Sequence, residues 1–158
     1  MLICAVNGKY HQKLKHLIEL DFSGRAELQS TNTPIFELAS FGGSKVVRGF
    51  RTDEALGRKL WSLQSEVWLP FFFINADSEN KISKLLVDNF RIAPFVDVGG
   101  IYKTNSSFTG TRAGTGVGIR FIKNPITFKL DWAYGLGDFA TPQRRSKFYF
   151  EVETNLPF

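Results

Sequence analysis

No stretch of this chain approaches the roughly 18 consecutive apolar residues of a membrane-spanning helix. A helical anchor is therefore excluded, and no secretory signal is expected at the N-terminus. Cysteine is nearly absent: Cys4 alone permits neither an internal disulfide nor a cysteine-based metal site. Histidine is almost as scarce. His11 and His16 read as part of a basic turn with Lys13 and Lys15 and have no third ligand nearby, so no metal is expected. Charge of one sign is nowhere concentrated. A net charge of +5 spread over 158 residues excludes the basic stripe of a nucleic-acid binder. Lys129, Asp131, Glu151 and Glu153 form no catalytic constellation. Gly114, Gly116 and Gly118 alternate with β-formers and are followed by neither a helix nor a Lys-Ser/Thr pair, which excludes a phosphate loop. The chain is expected to be no enzyme and to need no cofactor.

What the chain does have is strict alternation of apolar and polar residues. In 148–158, Phe148, Phe150, Val152, Thr154, Leu156 and Phe158 are separated by Tyr149, Glu151, Glu153 and Asn155. Successive side chains of a strand point to opposite faces, so this segment has one greasy and one acidic face. The same rule sorts 126–134 into Phe128, Leu130, Trp132 and Tyr134 against Thr127, Lys129, Asp131 and Ala133. It sorts 114–121 into Thr115, Val117, Ile119 and Phe121 against Gly114, Gly116, Gly118 and Arg120. In 91–102, Ala93, Phe95, Asp97, Gly99 and Ile101 share the second face; in 61–71, Ser62, Gln64, Glu66, Trp68 and Pro70 do. These runs approach the 9–11 residues that cross a bilayer at a tilt. Antiparallel sandwiches alternate too. The 16 phenylalanines, the aromatics at the ends of the greasy faces and the terminal Phe158 point instead to a lipid boundary.

Two earlier strands are expected, 2–10 and 15–29. The second places Glu19, Asp21, Ser23, Arg25 and Glu27 inward and Ile18, Leu20, Phe22, Gly24 and Ala26 outward. That makes seven strands. Between the second and third lies a glycine-rich loop, 30–59, and loops this long without a strand of their own are usually functional or disordered. A charged connection at 77–89, with a short helix over 81–86, a tight turn at 123–125 and a polar loop at 135–147 complete the outline. Arg144 and Arg145 with Lys13 and Lys15 read as turn charges.

The long loop contains Phe36-Glu37-Leu38-Ala39-Ser40-Phe41-Gly42-Gly43-Ser44 and then Val47-Arg48-Gly49-Phe50. This resembles the glycine pair and VRGF/Y signature of the Omp85 superfamily, the bacterial surface antigen D15 group. Phe95-Val96-Asp97-Val98-Gly99 is similar to the family's F-x-D-x-G strand, and Ser65-Glu66 with Pro70 to the acidic strand after the VRGF loop. Gly116-Val117-Gly118-Ile119-Arg120, Leu130-Asp131 and the closing aromatic strand follow in the family's order. The resemblance runs from Phe36 to the end of the chain.

It implies the C-terminal portion of an antiparallel transmembrane β-barrel in the outer membrane: about seven strands of a sixteen-stranded barrel, with 30–59 folded into the lumen and no POTRA domain. It implies Arg48 held by Glu66 and Asp97, which alternation independently puts on the inward face. Gly49 would give a tight turn, Phe50 would pack on small lumen-side residues, and Gly114, Gly116 and Gly118 would leave room for the loop. The expected partners are outer-membrane lipid, a client polypeptide and the rest of the barrel with its POTRA domains. The implied function is insertion of outer-membrane proteins, with Phe148, Phe150, Val152, Leu156 and Phe158 on the seam strand. Two-partner secretion by the same superfamily, a passive pore and a non-functional truncated fragment remain as alternatives.

Overall fold

The computed structural model describes residues 2–14, 18–70, 88–104, 108–138 and 145–154. These form one antiparallel sheet. Its strands are β1 (Ile3–Lys13), β2 (Glu19–Gln29), β3 (Ala39–Phe41), β4 (Ala55–Pro70), β5 (Phe90–Thr104), β6 (Gly110–Lys123), β7 (Ile126–Leu136) and β8 (Ser146–Thr154). Seven follow one another in the order β1-β2-β4-β5-β6-β7-β8, and the short β3 pairs with β4. Gly57 of β4 is already paired with Thr104 of β5, so β3 occupies the opposite edge, the one that β2 takes from Lys59 onward.

Alternation fixes the two faces as expected. On β7, burial switches at every residue from Ile126 to Leu136. Leu130 is 49% exposed and Phe150 of the neighbouring strand 67%, whereas Asp97 and Arg120 on the other face are fully buried. A soluble protein inverts this arrangement. Apolar surface outside and charge inside is the pattern of a barrel wall facing lipid. The polar face is concave: Lys9 of edge strand β1 reaches Glu153 of the opposite edge strand β8, 3.8 Å away, although the sheet is not closed by backbone pairing. With lipid on the convex side, Leu130→Arg is expected to cost about 2–4 kcal/mol at mid-bilayer depth. Equilibrium folding into phospholipid vesicles measures it.

Several boundaries differ from the sequence expectation. The second strand starts at Glu19 rather than residue 15; Leu14 N–H, just after β1, donates to Ile18 C=O, just before β2, at 2.7 Å. His11 belongs to β1 and not to a turn, because β1 runs on to Lys13 opposite Glu19. There His11 faces Asp21 across the pair and its Nε2 lies 3.0 Å from Glu19. The long loop is shorter than 30–59 and has structure of its own, a 3-10 turn at Ile35–Glu37 and strand β3. β4 already begins at Ala55, since Ala39–Phe41 pairs with Ala55, Leu56 and Gly57, and Gly57 has a second partner in Thr104 of β5. The expected helix at 81–86, His16, Arg144, Phe71, Leu156 and Phe158 lie outside the described residues.

The segment before β4 packs on the concave face around a small apolar cluster. Phe41, Phe50 and Phe108 meet with ring centroids 5.5–6.4 Å apart, within Val46, Val47, Leu60 and Ile101. Phe50 therefore does not rest chiefly on small residues; it is fully buried among aromatic and aliphatic side chains. Offset and edge-on ring contacts of this kind add to simple burial.

Candidate functional site

Arg48 sits where the segment crosses the sheet. Gly42 and Gly43 turn the chain with φ of 100° and 83°, and Gly49 turns it again with φ of 95°. Side chains on Cβ are strained at such angles. A Cβ on Gly49 would also strike the backbone of Gly135. Between these turns the Arg48 side chain points into the wall and is almost fully buried.

Its partners come from three strands. Nε and Nη2 donate to the two oxygens of Asp97 on β5, both at 2.7 Å, and the Arg48 backbone N–H donates to the same carboxylate at 2.9 Å. Nη1 donates to Glu66 on β4 and, at 3.0 Å, to Asp131 on β7. Arg120 on β6 closes the network from below, donating to Glu66 at 2.9 Å through Nη2 and to Asp131 through Nη1. The Trp68 indole N–H donates to Glu66 at 2.8 Å, and Gln64 ties Asp97 to the backbone oxygen of Ser44. Only a guanidinium has a planar fork of five donors that can serve three carboxylates at once. The Arg48 guanidinium carbon also lies 3.4 Å from the centroid of the Phe95 ring, a cation–π contact.

The register explains why these groups converge. Asp97 pairs with Gly114, Phe95 with Gly116, and Asp131 with Gly118, so Asp97 and Asp131 occupy nearby cross-strand rows in which the β6 member is a glycine. A Cβ on Gly114 would strike the Arg48 carbonyl oxygen, and one on Gly118 would strike Asp131 and Arg120. The alternating glycines of β6 thus form a hollow floor beneath the arginine.

The network sets two guanidinium groups against three carboxylates. Arg48 itself belongs to the connecting segment and not to a spanning strand. Burial alone would lower its pKa, but Asp97 first, then Glu66 and Asp131, outweigh that and hold it above the ordinary arginine value. Beside the network lies a polar cavity of about 230 Å³, bordered by Lys9, Asp21, Lys45, Lys129, Glu151 and Glu153. Among the described residues, no group of three or more His, Cys, Asp or Glu is arranged to hold a metal.

The two partners expected for Arg48, Glu66 and Asp97, are both in contact with it. Gly42, Gly43, Val47, Gly49 and Phe50 lie around it, Val47 fully buried with its side chain over Gly99. Phe148, Phe150 and Val152 face outward on β8, away from the network. Sequence reading missed Asp131, Arg120 and Gln64 as members of the network, and Tyr149 and Glu151 as contacts of the loop. All five fall on the polar face by alternation. What was lacking was the register that brings them together.

The model of the family described as the Omp85 superfamily domain matches residues 4–155. The fold is similar to the crystal structure of BamA from Haemophilus ducreyi lacking POTRA domains 1–3, with a TM-score of 0.64 and 17% identity over 94% of this chain. The match covers 33% of that chain, so the present chain spans about a third of its length. No curated protein matches the chain. With a lipid-facing convex surface, a charged concave one and a family match over nearly its whole length, the chain belongs to the Omp85 superfamily as part of an outer-membrane β-barrel.

Proposed function

We propose that the chain acts in inserting polypeptide into, or moving it across, the outer membrane, and that residues 42–54 form a lumen loop locked by Arg48. The observation that supports this most is the burial of one loop guanidinium among carboxylates of β4, β5 and β7. A rigid wall has no need to bring a charge in from a loop. A loop that must hold one position and still be able to leave it is well served by ion pairs, since their desolvation cost nearly cancels their attraction. Insertion of outer-membrane proteins is preferred over two-partner secretion because residues 116–120 and Leu130-Asp131 resemble the D15 group. The client is expected to be a polypeptide with strands of its own, and lipid the second partner.

The test is made in the cell that produces the protein, with Arg48→Lys replacing the wild type and its level followed by immunoblot. The expected result is a several-fold fall in folded, heat-modifiable outer-membrane β-barrel proteins at an unchanged level of the variant. A fall confined to one secreted polypeptide would instead assign the secretion role. No change in either would overturn the proposal.

A further inference from the structure

The convex face carries a single cation where β4 leaves the loop. From there on, the outward positions of β4 are Lys59, Trp61, Leu63, Ser65, Val67 and Leu69, and those of β2 (Leu20 to Leu28) and β5 (Phe90 to Tyr102) hold no charged residue. Lys59 is exposed, and among the described residues no carboxylate pairs with it. Its cross-strand neighbours are Leu28 and Tyr102. The Tyr102 hydroxyl shares a hydrogen bond with the Thr111 hydroxyl of β6 at 3.0 Å. Trp61 lies over Gly100, where a Cβ would come within 2.6 Å of the indole nitrogen and 3.0 Å of the Tyr102 ring. An ammonium, two hydroxyls and an indole N–H thus share one level of the wall.

Next to this level the wall is hollowed. Gly8 of β1 pairs with Gly24 of β2, and Gly24 with Leu63 of β4. With two neighbouring side chains missing from one cross-strand row, a groove of about 810 Å³ opens, lined by Tyr10, Phe22, Trp61, Leu63 and Val98 besides the glycines. A Cβ on Gly8 would meet nothing within 4 Å. The centre of the groove lies on β2, β4 and β5, each of which has strands of this chain on both sides, so it does not depend on where the sheet ends. Trp61 borders both the hollow and the polar group beside it.

We propose that this part of the convex face seats one phosphate-bearing lipid, its phosphate on Lys59 with the hydroxyls of Tyr102 and Thr111, and an acyl chain in the groove over Gly8 and Gly24. The wall already faces lipid, so the occupant is of the kind that surrounds it. A lone cation above an uncharged apolar face finds its counter-charge in the headgroups. Lysine, tyrosine and tryptophan suit that depth, since each keeps a polar tip in the headgroups and lays an apolar stem or ring against the wall. Lys59 and Leu63 stand four residues apart, about 13 Å along a strand. A lipid held by its phosphate at Lys59 therefore brings its chain past Trp61 into the hollow. The site involves neither Arg48 nor the loop, and stands whether the barrel inserts polypeptide or transports it.

Quenching of tryptophan by brominated lipid tests this on the full chain in phosphatidylcholine vesicles. Trp132→Phe leaves Trp61 as the outward-facing tryptophan, since Trp68 is buried on the concave side. Brominated phosphatidylglycerol, whose phosphate has no choline to balance it, is added at low fraction and compared with brominated phosphatidylcholine at the same fraction. The expected result is several-fold more quenching by the phosphatidylglycerol. Lys59→Gln should abolish the excess by removing the charge, and Gly8→Leu by filling open space in the groove. Each variant is first checked for the β-sheet circular dichroism of the parent. Lys123→Gln, which removes an exposed lysine at the far end of β6, should leave the excess unchanged. Equal quenching by the two lipids in the parent would overturn the site. So would an excess that survives Lys59→Gln or Gly8→Leu, or one that Lys123→Gln lowers as much as Lys59→Gln does, which marks attraction by net charge alone.

Discussion

Arg48→Ala is expected to destabilise the folded chain by about 3–5 kcal/mol, because it strands buried carboxylates without their main counter-charge. Asp97 has no exposure and would keep only the residue-48 backbone N–H at 2.9 Å and the distant Gln64 amide at 3.4 Å. Glu66 and Asp131 would share Arg120 as their remaining ion-pair partner, with the Trp68 indole N–H still donating to Glu66. Urea unfolding from phospholipid vesicles, followed by tryptophan fluorescence, gives the magnitude. Arg48→Lys should fall in between, since an ammonium cannot reproduce the bidentate grip on Asp97 while reaching Glu66 and Asp131. Exchanging the charges of Arg48 and Asp97 should not rescue the loss. A carboxylate at position 48 would meet Glu66 and Asp131, both of which Arg48 now neutralises. A loss below 1 kcal/mol for Arg48→Ala would mean that water already screens the network.

The second large effect is expected where no charge changes. Gly114→Ala would place a methyl carbon against the Arg48 carbonyl oxygen and 3.0 Å from its carbonyl carbon, with Val47 3.5 Å away. Backbone cannot swing aside as a long side chain can, so the loop must lift from the wall. The expected cost is about 1–3 kcal/mol from overpacking, plus part of the network energy as Arg48 draws back from Asp97. Thr115→Ala on the outward-facing neighbour is the control and should cost far less. If limited proteolysis cuts 42–54 faster in Gly114→Ala than in Arg48→Ala, the fit of loop to floor holds the loop more strongly than the ion pairs do. Equal resistance of wild type and Gly114→Ala would show that the loop does not press on β6.

Outer-membrane location follows from family and fold together. Its physical basis is visible in single residues: Leu63, Val96, Leu130 and Phe150 are exposed, and Glu66, Asp97, Arg120 and Asp131 are buried. Neither half of that list is stable in an ordinary soluble domain. The loop has the opposite composition from most surface connections, with Phe41, Val46, Val47 and Phe50 making a core of their own. That core holds the loop against the wall where the ion pairs by themselves would be close to neutral.

Alternation with a period of two determined which side chain of each strand faces lipid. That held from Glu19 on β2 to Glu153 on β8, because successive residues of any strand must point to opposite faces. The glycines and the Val47-Arg48-Gly49-Phe50 run marked the loop, and the resemblance to the family, not residue types alone, named Glu66 and Asp97, already on the inward face by alternation, as partners for its arginine. Alternation could not assign Asp131, Arg120 and Tyr149 to the same site, because it says which face a residue takes and not how far along the wall it stands. Nor could it find β3 and the start of β4 at Ala55, whose pairing depends on chain brought back from elsewhere. Those positions were decided by the tertiary structure: the pairing of Asp97 with Gly114 and of Gly118 with Asp131 sets the height of each charge, and the glycine floor leaves one place where the loop can bring Arg48 within reach of all three carboxylates.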